Sequence, residues 1–93
     1  MAIVSFKCKD TQLLFETGNT RVFSNFKSVA ERKLRMLSQA VSLQDLRSPP
    51  ANHLEKLVGD REGQYSIRIN DQFRICFIWG DDGVSDVEIV DYH

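Results

Sequence analysis

Residues 64–93 alternate apolar and polar side chains through three short runs, QYSIRIN, FRICFIW and VSDVEIVDYH. This two-residue period narrows the fold more than any other feature of the chain, because it reads as strand and not helix. The first two runs are joined at Asn70-Asp71-Gln72 and the last two at Gly80-Asp81-Asp82-Gly83, both rich in the residues that hairpin turns use. Tyr65, Ile67 and Ile69 share one face of the first run, and Phe73, Ile75 and Phe77 share one face of the second. The two sets meet if Ile69 lies opposite Phe73, since a slip by one residue sends one set into water. That register sets Arg68 opposite Arg74 on the other face. Like charges so placed oppose pairing, and an anion held between them is one reason to tolerate them. In the third run the same parity gives Val87 and Ile89 to the core, and Asp86, Glu88 and Tyr92 to the arginine side. Asp91 and His93 fall on the core side of a straight strand, so they reach the arginines only if the strand ends or bulges after Val90, which is the expectation.

Upstream, residues 2–9 read as a strand with Val4, Phe6 and Cys8 on one side. Asp10 or Thr11 caps a short helix through Leu13, Leu14 and Phe15, and Gly18 stops it in the left-handed conformation that glycine tolerates. A longer helix is expected from about Asn25 to Ser42, with Phe26, Val29, Ala30, Met36, Leu37, Ala40 and Val41 mostly at three- and four-residue spacing. Asn25 caps it, or Ser28 does with Glu31 as the reciprocal partner. Lys27, Arg32 and Arg35 occupy its other face, with Lys33 at the margin. Such a basic face is either simply solvated or a contact for RNA phosphate. Ser42 caps a further turn through Leu43 and Leu46. Pro49-Pro50 forbids continued helix, and Leu54 and Leu57 then anchor ANHLEKL to the core, leaving His53 between two fixed points. Gly59 to Gly63 turns into the sheet. The order implies a single α+β domain over residues 1–93: an N-terminal strand, two helices, then a three-stranded antiparallel meander, with the helices on one face and the arginine face open.

Ninety-three residues suffice for one core. No apolar run approaches the ~20 residues of a membrane span, and MAIVSFKCKD has no signal-peptide pattern, so a cytoplasmic location is expected. Cys8 and Cys76 lack ligand spacing and read as free thiols, with no metal or cofactor implied. The net charge of −1 argues against a generic nucleic-acid binder. Charge is unevenly spread, however. Residues 80–93 hold five acids and no Lys or Arg, so residues 1–79 carry twelve basic against eight acidic residues.

LRMLSQAVSLQDLRSPPANHLEKLVGDREGQYSIRINDQFRICFIW, followed by DVEIVDYH, resembles the HigB-type branch of the RelE/ParE toxin superfamily over nearly the whole chain. The most specific parts are Leu-Arg-x-Pro-Pro before His53, the G-D-R-x-G-Q-Y-S-I-R-I-N run, and the closing Asp-Tyr-His. The resemblance implies a RelE-like fold and a bacterial type II toxin that cleaves mRNA in the ribosomal A site, on the 30S subunit. It implies a HigA-type helix-turn-helix antitoxin as partner, with operator DNA bound only through the antitoxin complex. By residue, it implies His53, Asp91, Tyr92 and His93 as the catalytic group and Arg68 and Arg74 as phosphate-facing, with Lys56 a further candidate.

These residue types suit internal attack of a ribose 2′-OH on the adjacent phosphate, which needs a base, an acid and positive charge but no metal. His53 and His93 are the only histidines and titrate in the required range. Either can serve as base or acid. Asp91 can act as base or orient a histidine, and Tyr92 can hydrogen-bond or stack on a base. Arg68 and Arg74 would hold the phosphate, with Lys27, Arg32 and Arg35 as a ribosome or RNA patch. Two other readings stand beside this one: a non-catalytic, ParE-like inhibitor of DNA gyrase, and a small interaction module.

Overall fold

The sheet is antiparallel with four strands in the order β1 (Glu55–Lys56), β2 (Tyr65–Arg68), β3 (Phe73–Gly80) and β4 (Gly83–Asp91). A computed structural model describes residues 2–91. Two helices precede the sheet, α1 (Lys9–Thr17) and α2 (Lys27–Gln39), with 3₁₀ turns at Ser24–Phe26, Leu43–Arg47, Pro50–Asn52 and Gly59–Arg61. The α+β class and the meander are as expected. The fourth strand, β1, was not: once Leu57 is buried, its N–H reaches Gln64 O at 2.9 Å and draws Glu55 and Lys56 alongside β2.

The β2–β3 register is the expected one, with Tyr65 opposite Phe77, Ile67 opposite Ile75 and Arg68 opposite Arg74. Leu14 of α1 and Ala30, Leu34 and Leu37 of α2 form one core with Ile67, Ile69, Ile75, Phe77, Val84, Val87 and Ile89 of the sheet.

β4 departs from simple alternation. Val84 and Val87 are both fully buried although three residues apart. A register shift between Cys76 and Ile78 makes this possible, with Asp86 in the left-handed region at φ 51°. One extra residue in the bulge restores Val87 to the core side. The N-terminal segment copies the step. Ile3 and Phe6, also three apart, bridge Val84 and Val87 in parallel, and Ser5 Oγ accepts the Asp86 N–H at 2.9 Å. Residues 2–9 are therefore two isolated bridges and not a regular strand, and Val4, expected inside, is 56% exposed.

The helix ends also differ from their expected caps. α1 begins at Lys9 after an extended Cys8, and the Thr11 hydroxyl instead accepts the Ile89 N–H at 3.0 Å, tying α1 to β4. Gly18 does end α1, at φ 76°. α2 is entered through the 3₁₀ turn at Ser24–Phe26, with no side-chain cap from Asn25 or Ser28. Phe26 instead packs on Phe73, ring centroids 4.6 Å apart. α2 stops at Gln39, short of Ser42, because the Asp45 carboxylate accepts the N–H groups of Val41 at 2.9 Å and Ser42 at 3.1 Å, pulling the chain out of the helix. Ser42 caps the next turn as expected, within a capping box. Cys8 and Cys76 are free thiols. Among the described residues no helix is long and apolar enough to cross a membrane.

A Cβ at Gly83 would lie 2.5 Å from Ala2 O, on a backbone at φ 138°. Gly83→Ala should therefore loosen the N-terminal segment and lower stability by about 1–3 kcal/mol in urea unfolding. Gly80→Ala, whose nearest neighbour would be at 3.5 Å, should be far milder. The Val41 and then the Ser42 N–H hold the Asp45 carboxyl below its ordinary value of 3.8. The unfolded chain thus takes up the proton first, so this contribution is complete above that value and is lost as pH falls through the lower folded pKa. The gap in urea midpoint between the intact chain and Asp45→Ala should hold steady near neutrality and close below about pH 4.

Candidate functional site

Register fixes which side chains share the face opposite the core: Glu55 from β1, Ser66 and Arg68 from β2, Arg74 and Cys76 from β3, Glu88 and Val90 from β4. This face was expected to be open and is instead roofed in part. Ser66 and Cys76 are fully buried and Arg74 is 8% exposed. Burial accordingly pushes the Cys76 thiol up. The roof is made by the turns on either side of β1, around His53 and around Arg61, and charged side chains hold them down. Arg61 Nη1 donates to Glu88 Oε1 at 2.8 Å and to Gln64 Oε1 at 3.2 Å. Arg74 Nε donates to Ser66 Oγ at 2.8 Å, its Nη2 donates to the carbonyl oxygen of His53, and Glu55 Oε1 lies 3.8 Å away.

His53 stands where the roof meets this arginine. Its backbone is left-handed, φ 43° and ψ 57°, which few residues other than glycine adopt. Its N–H donates to Pro50 O at 3.1 Å, its carbonyl is taken by Arg74, and the residue is exposed. The preceding Asn52 is fully buried. Asn52 Nδ2 donates to Leu46 O at 3.1 Å and Ser48 O at 3.3 Å and lies 3.2 Å from Met36 Sδ, while Oδ1 accepts from Lys33 Nζ of α2. Lys33 is 4% exposed, so it faces inward and does not belong to the solvated basic face. Burial first, then the charges of Arg32 and Arg68, hold its ammonium below the ordinary lysine value. Sequence reading passed over Asn52 and put Lys33 only at the margin of the basic face, not inside. The available signal was a short polar side chain between Leu46 and Leu54, in a stretch with little else to bury.

The other expected site residues scatter. Arg68 lies opposite Arg74 but pairs with Asp71 across the turn. β4 stays paired through Asp91, opposite Phe73, and Gln72 Nε2 donates to Asp91 Oδ2 at 2.8 Å. No bulge follows Val90 within the described residues. Regular pairing keeps Asp91 on the Phe73 side, so the turn toward the arginine face expected after Val90 has not occurred by Asp91. Lys56 lies opposite Tyr65, and so also on the core side of the sheet, not with Arg68 and Arg74. Lys27, Arg32 and Arg35 are exposed on α2, the last two beside a shallow depression shared with Met36, Gln39 and Asp45. Tyr92 and His93 lie outside the described residues.

Asn52→Ala removes partners from a buried ammonium and from two loop carbonyls, which should cost about 1–3 kcal/mol or more. Asp71→Ala, which breaks an ion pair whose carboxylate is fully in water, should cost under about 1 kcal/mol. Equal urea midpoints for the two variants would show that the Asn52 cluster contributes nothing special.

Comparison with known proteins agrees with this architecture. The sequence model of the HigB-like toxins, RelE-like toxins of the type II toxin–antitoxin system HigB, matches residues 4–93. Toxin HigB-1 of Vibrio cholerae is 41% identical over 80 residues, 84% of each chain. An uncharacterised protein of Haemophilus influenzae is 40% identical over 75 residues, 78% of this chain and 74% of that one. The fold also matches a chain of the YoeB–YefM complex from Staphylococcus aureus, with TM-score 0.62 and 17% identity, covering 100% of this chain and 99% of that one. A second solved structure, the heterotetrameric YoeB–YefM toxin–antitoxin complex of the same organism, matches equally well. With a match from residue 4 to the last residue, the chain belongs to the HigB-like family of RelE-like type II toxins.

Proposed function

We propose that this toxin is a metal-independent mRNA endoribonuclease that acts in the bacterial cytoplasm on the ribosome and so stops translation. The observation that carries this reading is an exposed imidazole, His53, on a loop held to the sheet by the buried guanidinium of Arg74, whose cross-strand partner is a second arginine. A ribose 2′-OH attacks the adjacent phosphorus, and the new P–O bond forms as the bond to the 5′-oxygen breaks. One group takes the 2′-OH proton and another protonates the departing 5′-oxygen. The products are a 2′,3′-cyclic phosphate and a 5′-hydroxyl. His53 and His93 are proposed to divide these two roles, with Tyr92 stacking on or hydrogen-bonding to the RNA. Arg68 is proposed to stabilise the phosphate charge directly, and Arg74 from beneath.

Lys27, Arg32 and Arg35 are proposed to meet ribosomal RNA. The sequence holds no aromatic-rich motif of the RNP kind for reading bases, so target choice is proposed to fall to the ribosome's presentation of the codon. The partner is proposed to be a HigA-type, helix-turn-helix antitoxin through which alone the complex reaches operator DNA. The pairing of YoeB with YefM in a protein of the same fold supports an antitoxin partner.

Loss of a general acid or base typically costs about 10²–10⁴-fold, so removing both imidazoles should silence a slow nuclease. Primer extension on mRNA after induction should reveal new 5′ ends with the intact chain and none with a His53→Ala, His93→Ala double variant. Equal cleavage by both would remove the proposed chemistry. Altered plasmid topoisomers without new mRNA ends would point instead to gyrase inhibition.

A further inference from the structure

We propose that Asn52 and Lys33 are positioning residues for His53, fixing the backbone from which its imidazole is presented. This rests on the reading of His53 as an acid or base in RNA cleavage. Between buried Leu46 and half-buried Leu54, every residue is exposed except Asn52. Within this stretch the one buried side chain that anchors the loop carrying His53 is therefore a carboxamide and not an apolar group.

That carboxamide has one available orientation. An ammonium can only donate, so Lys33 takes the oxygen and leaves the Nδ2 donors for the carbonyls of Leu46 and Ser48. A flipped amide would aim its N–H groups at Lys33 and its oxygen at two carbonyls. A buried lysine on the core side of α2 disfavours burial of its own charge, and its bond to Asn52 is what this position provides in return. On the far side of the loop Arg74 holds the His53 carbonyl. The left-handed His53 backbone is thus gripped at both ends, through its neighbour's side chain and through its own carbonyl. Displacing a catalytic group by about 1 Å costs on the order of 10²-fold in rate.

The test uses the full-length protein with ribosomes programmed with mRNA, and compares Lys33→Met, Lys33→Arg, Asn52→Asp and His53→Ala. Lys33→Met keeps an unbranched stem but no donor, and Asn52→Asp keeps the acceptor but loses the donors to Leu46 and Ser48. Both should slow single-turnover cleavage by about 10–100-fold with half-saturating ribosome concentration unchanged. Both should also shift the His53 imidazole NMR signals and speed exchange of the His53 amide while the Phe77 amide stays protected. Lys33→Arg, which still donates, should recover much of the rate. Full-rate cleavage by Lys33→Met and Asn52→Asp, or a rate loss that only tracks the unfolded fraction while His53 signals stay put, overturns the positioning role. Undiminished cleavage by His53→Ala instead overturns the acid–base reading beneath it, and the positioning role with it.

Discussion

The pairing of β2 with β3 is the constraint from which the rest follows. A single carboxamide sets it. Asn70 Oδ1 accepts the N–H groups of Gln72 and Phe73, each at 2.8 Å, closing the turn so that Ile67 meets Ile75. Because side chains alternate, this one choice also commits Ser66, Arg68, Arg74 and Cys76 to the opposite face. Core and site are two sides of the same register, and neither can shift alone. A slip of β2 by one residue, with β3 held by β4, would turn Arg68 under α2 and expose Tyr65 and Ile67.

On the other edge of β3 the constraint is relaxed once, at the bulge, and the relaxation has a use. It lets Val84 and Val87 both reach the core, and it opens a three-residue step that the N-terminal segment follows. The segment's bond from Lys7 N to Val87 O, at 3.0 Å, leads straight into α1. Thr11 then bonds Ile89 beyond the bulge. Regular pairing resumes at Glu88 opposite Cys76 and continues to Asp91 opposite Phe73. The strand thus delivers its last described residues at positions counted from the same turn that sets the arginines.

Much of this is legible in the sequence because period-two alternation and turn chemistry are local signals. The register from Tyr65 to Phe77, the Gly18 stop and the Ser42 cap all follow from residues within a few positions of one another. What escaped was non-local. The Asp86 bulge answers to Phe77 and to the N-terminus, so simple alternation grouped Phe6 with Val4, where the fold groups it with Ile3. Asp45 ends α2 from beyond its end, which a helical period cannot show. Lys33 sits at the margin of a basic stripe, and only the fold brings Asn52 beneath it. His53, Arg68 and Arg74 were singled out by residue type and family resemblance. That Arg74 would be buried against the His53 carbonyl was visible in neither.

The arginine pair shows how a site can carry positive charge in a protein with a net charge of −1. An anion between Arg68 and Arg74 is not needed to reconcile them, because the two guanidiniums diverge. Arg74 turns to Ser66, His53 and Glu55, and Arg68 to Asp71, while Arg61 nearby is matched by Glu88. These pairs are unequal. The Asp71 side chain is 98% exposed, and an ion pair so hydrated contributes about 0–1 kcal/mol, so a phosphate can replace that carboxylate at little cost. Arg74 is different: its bond to Ser66 is buried and its bond to the His53 carbonyl half-buried, and breaking the first would strand a buried polar group. On the proposed reading, Arg68 is therefore the arginine that changes partner when RNA arrives. Arg74 stays where it is and lends its charge from below while keeping the imidazole loop in place. On that reading the two arginines expected to hold the phosphate divide the work, one as an exchangeable charge and the other as a fixed brace.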